Sequence, residues 1–417
     1  MILSRNNQKT FYYLGFLIWP FGITIAALKY RHNSWSKNIF WLFCIFFGYI
    51  FILPEEGPDS VRYAQRFLEY SNFDLSLAEL WNSFYSSSTN YLDILEPLIT
   101  FLVSRVWNNL SFLFLVYGLI FGYFFSRNLW FIFNKIESNI TIALSLYILS
   151  IALFNPIWNI NGFRMYTAAQ IFVYGTLPLI TDGNIKRIWW SAISVFMHFS
   201  FIFPFLVLLL FLLLKNKLNL YFTFFIISSF IKELDLEWLS NSLLFLPEIF
   251  QPRITSYLNP MYAESMRFMH QSLNWYIPFS DVCIKWIIYG YVIFMYLFHK
   301  KTIINHSFLE RLFCFSLLLY GMSNIAGLIP AGVRFMTISN IFMFTTIALF
   351  LSSNPDIKGL TFLNRLSLPA LVFYCIVAIR VGMDYFGGLF FYGNPLAASI
   401  LTDHYPLINY IKGFFLK

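Results

Sequence analysis

The sequence predicts an all-α integral membrane protein, a polytopic bundle of about 10–12 transmembrane or re-entrant helices with two outer loops. Hydrophobic residues make up 59% of the 417-residue chain and charged residues only 12%. That charged share is about half of what soluble domains carry, so it cannot cover a water-facing surface. Apolar runs of spanning length recur along the whole chain, and short clusters of Lys and Arg separate them.

The apolar runs divide residues 1–417 into a single membrane domain. The runs that can cross or enter the bilayer are 11–28, 38–53, 94–107, 110–126, 140–157, 164–181, 188–214, 218–231, 278–298, 308–328, 334–351 and 366–386.

Charge sets the expected orientation of these runs. The long interruptions 54–93 and 232–277 are both net acidic, whereas clusters such as Lys300 and Lys301 are basic. Because Lys and Arg in short loops favour the cytoplasm, the basic clusters are expected inside. The acidic segments then become the first and second periplasmic loops, and the Gly- and Pro-containing segment 387–417 becomes an outward C-terminal tail.

Two runs do not fit a simple crossing. Run 188–214 begins and ends at basic clusters, so it should form a hairpin of two short helices with Met197 to Pro204 near its tip. Run 94–107 is short and carries Arg105, so it is expected to dip into the outer leaflet or to lie on it. Re-entrant backbone survives where protein or a water-filled cavity satisfies its polar groups. The sequence therefore predicts a cavity that opens outward.

Several classes of protein and of site are excluded. The four cysteines lie inside apolar runs without CxxC or Cys/His spacing, which indicates neither a disulfide framework nor a zinc site. No Walker loop or HExxH motif is present, and we predict no metal and no cofactor. The net charge of +8 comes from clusters beside apolar runs, so a nucleic-acid partner is not expected.

Two arginines stand at the outer ends of apolar runs. Arg164 follows a polar, turn-rich segment that includes Asn161, and Arg334 follows Gly332 in a similar arrangement. Charge at the mouth of a membrane domain is a functional candidate because it is costly there. Two guanidinium groups could grip one pyrophosphate, since each offers paired donors in a plane, and Asn161 suits sugar hydroxyls. The alternative is snorkelling at the interface.

A charged stripe begins the first outer loop. Asp59, Arg62, Tyr63 and Arg66 fall at i, i+3, i+4 and i+7, so they share one helical face. As a substrate-facing stripe, they would supply a carboxylate, two phosphate-binding arginines and a tyrosine for sugar stacking. The alternative is an N-cap aspartate followed by a solvated charged face.

Two further residues are candidate proton handlers. His198 continues a polar stripe with Ser191 and Ser194 in an apolar segment, and its side chain titrates near neutral pH. It could equally be a satisfied core histidine. Glu96 lies at a predicted helix start before Pro97, where it could act as a base or only cap the helix.

A set of short motifs in this order resembles the EpsG-type branch of the Wzy-like polysaccharide polymerases, over roughly residues 38–350. The resemblance rests on Asp59-x-x-x-Tyr63, Glu96-Pro97-Leu98, Gly162-Phe163-Arg164 with Ala168-Ala169, His198-Phe199-Ser200 and Arg334-Phe335.

The resemblance implies a GT-C-like fold in the bacterial inner membrane, with the active site facing the periplasm. It implies a substrate on undecaprenyl pyrophosphate, whose glycan is transferred to the terminal sugar of the next lipid-linked repeat unit of an O-antigen, capsule or exopolysaccharide. Membrane lipid and a chain-length regulator are the other implied partners. Arginines suit this chemistry because they stabilise the leaving pyrophosphate.

The identity of the base and the reaction both have alternatives. Asp59 is the first choice as base by position, but Arg62 would favour its ionised form and weaken it, so His198 or Glu96 could take the role. An O-antigen ligase or another lipid-dependent glycosyltransferase is an alternative enzyme. A transporter or flippase of lipid-linked glycans is the non-enzymatic alternative, and it predicts charges deep within spans, whereas here they gather at outer ends.

Overall fold

The chain is helical throughout the part that the structure describes. A computed structural model describes residues 5–55, 59–84, 92–242, 258–354, 359–403 and 405–415, and the single positions 244, 251, 255 and 357. The described residues confirm a helical chain with segments long and apolar enough to span a membrane, and the number of about 10–12 transmembrane or re-entrant helices stays a prediction. Segments long and apolar enough to span are Leu110–Lys135, Ile142–Asp182, Tyr276–Asn305, Arg334–Ser353 and Leu360–Gly382.

The α-helices of the described residues are numbered in chain order. They are α1 (Arg5–Ile18), α2 (Pro20–Leu28), α3 (Ser36–Tyr49), α4 (Asp59–Asn72), α5 (Leu77–Ser83), α6 (Leu95–Val106), α7 (Leu110–Lys135), α8 (Ile142–Phe154), α9 (Phe163–Asp182), α10 (Ile188–Met197), α11 (Ile202–Leu214), α12 (Leu218–Ser228), α13 (Leu236–Ser242), α14 (Pro260–Gln271), α15 (Tyr276–Asn305), α16 (Ser307–Ala326), α17 (Arg334–Ser353), α18 (Leu360–Gly382), α19 (Leu389–Tyr392), α20 (Pro395–Ile400) and α21 (Leu407–Phe415).

The first apolar run is two helices and not one. Helix α1 ends at Ile18 and Pro20 begins α2. Proline has no backbone N–H to continue a helix, but it fits the first turn of a new one. Run 11–28 is therefore broken near its middle.

Helices α3 and α7 pack closely along a glycine seam. A Cβ atom at Gly48 would lie 2.2 Å from the carbonyl oxygen of Phe114, and one at Gly118 would lie 2.3 Å from that of Cys44. Small residues allow the backbones of membrane helices to approach this closely.

The first predicted outer loop contains helices. Within 54–93 the chain forms α4 and α5, and residues 56–58 and 85–91 lie outside the described part. Helix α5 begins with a capping box, in which the Ser76 hydroxyl accepts from the Glu79 N–H and the Glu79 carboxylate accepts from the Ser76 N–H. Local capping thus makes this charged segment a structured part of the molecule.

Helices α7 and α9 run in the same direction. The rings of Tyr117 and Phe163 stack with centroids 3.7 Å apart near the start of both helices. At the other end, the Lys135 ammonium group lies 2.5 Å from the Asp182 carboxylate. Arg164 and Lys135 therefore lie at opposite ends of the bundle, which we call the Arg164 end and the Lys135 end.

Helix α8 ends partway through the bundle. At 13 residues it is about 20 Å long, shorter than the hydrocarbon core of a bilayer. Asn155 follows it, and a 3-10 helix over Ile157–Gly162 continues to α9. The predicted span 140–157 is therefore a helix of about two-thirds of the hydrocarbon thickness, followed by an irregular continuation.

Uncharged amide side chains form hydrogen bonds around the end of α8. The Asn155 amide donates to the Tyr166 carbonyl at 2.9 Å, and the Gln170 amide donates to the Asn155 carbonyl at 3.3 Å. Asn128 donates to the Gln170 side-chain oxygen at 2.8 Å. The amides satisfy backbone groups that a continuous helix would have paired itself.

The predicted helical hairpin in 188–214 is confirmed as two short helices, α10 and α11, with His198 between them. The rings of Phe203 and Phe335 lie 4.7 Å apart near the start of α17, and those of Phe211 and Phe315 lie 5.4 Å apart further along. Helix α11 thus leads away from the hairpin tip, and the tip lies at the Arg164 end.

The start of the predicted C-terminal tail, residues 387–400, folds back onto the N-terminal helices. The Phe390 ring lies 5.3 Å from that of Phe43, and the Trp19 indole N–H donates to the Phe391 carbonyl at 2.6 Å. The first part of the predicted tail is thus packed against α2 and α3.

Candidate functional site

Helix α4 presents its predicted stripe to the rest of the protein. Tyr63 is 1% exposed, Arg66 pairs with Glu96, and Asp59 accepts a hydrogen bond from Arg62. The Arg62 side chain is 66% exposed. Three of the four residues therefore face neighbouring helices, and Arg62 faces outward.

Glu96 lies at the centre of a buried polar cluster. Its residue exposure is 0%, and its carboxylate pairs with Arg66. One oxygen accepts hydrogen bonds from the Thr100 hydroxyl at 2.9 Å and the Tyr117 hydroxyl at 3.0 Å. Glu96 joins α4, α6 and α7, and it offers no exposed surface to a substrate in this conformation.

Arg164 is engaged by the outer loop. Its guanidinium group lies 2.9 Å from the Asp93 carboxylate and 4.0 Å from that of Asp59, and its Nε donates to the Tyr63 hydroxyl at 3.3 Å. Burial raises the pKa of the Tyr63 hydroxyl, and the charge of Arg164 opposes this rise. Arg164 is thus held by two carboxylates and a tyrosine, which snorkelling alone would not produce.

Asp93 connects Arg164 to the hairpin, and sequence reasoning missed this role. One oxygen pairs with Arg164, and the other accepts the Phe199 N–H at 2.7 Å. The next residue, Ile94, donates its N–H to the Phe196 carbonyl at 3.1 Å. An acidic residue directly before a short predicted helix was the available signal, but in the sequence it counted only as loop charge.

The histidine ring has a defined tautomer. His198 Nδ1 lies 3.2 Å from the Ser200 backbone nitrogen and 2.8 Å from the Ser200 hydroxyl. A backbone N–H can only donate, so Nδ1 accepts and the neutral ring carries its hydrogen on Nε2. In this conformation His198 is a hydrogen-bond donor at Nε2.

His198 and Arg334 line one cavity of about 460 Å³ at the Arg164 end. It lies between the hairpin tip, α13, the end of α16 and the start of α17, and Asp235 also lines it. Most of its wall is apolar, formed by residues that include Ile202, Phe203, Trp238, Leu239, Ile325 and Ile329.

Arg334 is the positively charged residue in the lining of this cavity. Its side chain is half-buried and makes no hydrogen bond or ion pair with any residue that the structure describes. Arg334 can therefore accept an anion without giving up a partner.

The predicted site residues fall into two neighbouring groups. Asp59, Tyr63, Arg66, Glu96 and Arg164 form the charged cluster, with Arg62 at its edge, and His198 and Arg334 line the cavity. Asp93 bridges the two groups. Asn161 instead donates its side-chain amide to the Tyr385 hydroxyl, after α18.

Metal binding has no support in the described ranges, where no group of three or more His, Cys, Asp or Glu side chains could hold an ion. Comparisons with protein-family models, curated proteins and solved structures give no match for this chain. The fold and the site define a helical membrane protein with a polar, charged site at one end of its bundle.

Proposed function

We propose that the protein is a Wzy-like, EpsG-type polymerase with a GT-C-like fold, which joins lipid-linked glycan repeat units at the outer face of the bacterial inner membrane. The observation that carries the proposal is the half-buried Arg334, without a partner among the described residues, at an apolar-walled cavity. Such a cavity suits a substrate with an anionic headgroup and a hydrocarbon tail, as undecaprenyl pyrophosphate has.

The reaction breaks the bond between the sugar anomeric carbon and the pyrophosphate oxygen. The hydroxyl of the next lipid-linked repeat unit attacks that carbon, its proton passes to a base, and the pyrophosphate leaves with the electron pair. Arg334 and the Nε2–H of His198 are placed to stabilise the leaving group, because both are donors at one cavity. Arg164 lies in the neighbouring charged cluster, where it pairs with Asp93 and lies 4.0 Å from the Asp59 carboxylate.

Accessibility favours Asp59 as the base. The Asp59 side chain is 26% exposed, compared with 10% for Asp93 and 0% for Glu96. His198 carries its ring hydrogen on Nε2 in this conformation, so it suits donation to the leaving group better than proton abstraction. Arg62 and Arg164 orient the Asp59 carboxylate.

The test uses purified protein, lipid-linked repeat units and products resolved by size. Asp59→Asn should lower the rate by about 10²–10⁴, as for loss of a general base. Arg334→Lys should lose most activity, because lysine cannot reproduce the paired contact of a guanidinium group with phosphate. The matched control is Arg365→Lys, at an exposed position of α18, which should keep wild-type activity.

The same assay separates the alternatives. Wild-type protein that adds no repeat unit would overturn the polymerase proposal, and transfer to lipid A core would identify a ligase. Movement of the lipid-linked glycan across vesicles without a new glycosidic bond would identify a transporter. If Asp59→Asn polymerises at the wild-type rate, the assignment of the base is wrong while the polymerase proposal stands.

A further inference from the structure

Two arginines lie among aromatic rings toward the Lys135 end of the bundle. The Arg127 guanidinium carbon lies 4.2 Å from the centroid of the Tyr123 ring, and that of Arg187 lies 4.5 Å from the centroid of the Tyr174 ring. The two tyrosine rings are 6.3 Å apart. The two cations therefore flank a pair of tyrosines, on α7 and directly before α10.

Neither cation has a counter-charge in the part of the chain that the structure describes. Arg127 donates to the Asn38 side-chain oxygen at 3.0 Å and to the Ser126 hydroxyl at 2.7 Å, and both acceptors are neutral. Arg187 contacts the Tyr174 ring and forms no ion pair with a described residue. By contrast, Lys135 on the same helix is paired with a carboxylate.

The depth of Arg127 makes the missing counter-charge costly. It lies about two helical turns before the end of α7, a helix long and apolar enough to span. A cation in a spanning helix is expensive unless an opposite charge or water meets it. An anion that contacts the guanidinium group would supply the missing opposite charge.

The surface around the arginines is partly exposed and resembles the part of a membrane protein that lies at the bilayer headgroups. The side chains of Arg127, Arg187 and Tyr174 are half-buried, so they border the protein surface. Trp189, next along α10, is 72% exposed. Exposed tryptophan beside basic residues is typical of the headgroup region of a bilayer.

We propose that Arg127 and Arg187 bind the phosphate of an anionic phospholipid headgroup, in the leaflet opposite the Arg164 end. Guanidinium groups offer paired donors to phosphate oxygens, and the tyrosine rings hold them in place by cation–π contacts. Basic pockets between membrane helices bind anionic headgroups by this chemistry. The proposal does not depend on glycosyl transfer.

The test measures lipid binding to the full chain. Purified protein is titrated with phosphatidylglycerol and with zwitterionic phosphatidylcholine, and adducts are counted by native mass spectrometry. Arg127→Gln and Arg187→Gln should each weaken phosphatidylglycerol binding about fivefold, the equivalent of ~1 kcal/mol per surface arginine. Lys301→Gln, which removes one charge at an exposed position, is the matched control and should bind as wild type.

A second variant and a competition with inorganic phosphate complete the test. Arg127 also bonds to Asn38, so if Arg127→Gln does not fold, Arg187→Gln decides. The Arg187 side chain contacts the Tyr174 ring and forms no hydrogen bond with a residue that the structure describes. Inorganic phosphate in millimolar excess should not displace phosphatidylglycerol, and displacement would assign the site to free phosphate. Equal phosphatidylglycerol binding by wild type and Arg187→Gln would overturn the proposal.

Discussion

Asp93 allows a quantitative test of how the two parts of the site are coupled. Asp93→Asn keeps an oxygen that can accept the Phe199 N–H but removes the charge that pairs with Arg164. Asp93→Ala removes both contacts, at 2.9 and 2.7 Å. Hydrogen bonds to charged groups contribute about 1.5–3 kcal/mol each. We therefore expect the free energy of unfolding to fall by about 2 kcal/mol in the asparagine variant and by about 4 kcal/mol in the alanine variant.

The assay combines thermal unfolding in detergent with the kinetics of chain growth. In Asp93→Asn, Arg164 keeps only the more distant Asp59 carboxylate and moves from its position. If Arg164 acts on the transition state, kcat should fall about 30-fold, the equivalent of ~2 kcal/mol, with KM changed by less than about threefold. Both variants should unfold at a lower temperature than wild type, and Asp93→Ala at the lower of the two, because it also loses the hydrogen bond to the hairpin.

The matched control is Asp182→Asn, which removes the carboxylate of an ion pair at the other end of the bundle. That pair is about one-third exposed on each side, so its loss should change the unfolding temperature little and kcat not at all. A wild-type kcat in Asp93→Asn would refute the coupling. An equally small decrease of kcat in Asp93→Asn and Asp182→Asn would also refute it.

Three further predictions concern the fold. Glu96→Gln removes the carboxylate that pairs with the mostly buried Arg66 and should lower the free energy of unfolding by about 3 kcal/mol. Adding Arg66→Gln should restore part of this loss, and strict additivity of the two changes would contradict a direct interaction between Glu96 and Arg66. Gly118→Ala pushes α3 and α7 apart and should lower the folded yield on size exclusion, whereas Gly413→Ala, which meets open space, should not. In a cysteine-free background, a cysteine at the exposed Asn82 should react with an impermeant reagent in intact cells; labelling only after permeabilisation would reverse the predicted orientation.

Much of the fold could be predicted because apolar length and charge position are local properties. The hairpin followed from basic residues at both ends of 188–214, and α4 from the helical spacing of its charged stripe. The early end of α8 could not be predicted. Its end is stabilised by Asn128 and Gln170, which belong to other helices and approach Asn155 only after packing.

The site could be predicted only in part, because sequence spacing shows which residues share a helix face but not which residues of other elements pack against that face. The stripe of α4 depends on spacing within one helix, so Asp59, Tyr63 and Arg66 were grouped correctly. Their partners were not assigned, because Glu96 and Asp93 lie in a different element and reach the stripe only in the folded chain. The tautomer of His198 depends on the backbone turn at Ser200, which sequence spacing does not reveal.

The amides around the end of α8 have an electrical consequence. Asn128, Asn155 and Gln170 carry no charge and do not titrate, so their hydrogen bonds are the same at every physiological pH. A membrane potential of 100 mV does about 2.3 kcal/mol of work on each unit charge that crosses the membrane, but it exerts no net force on a neutral amide. Changes of voltage or acidity can therefore act on the ionised side chains at either end of the bundle without loosening the joint between α8 and α9.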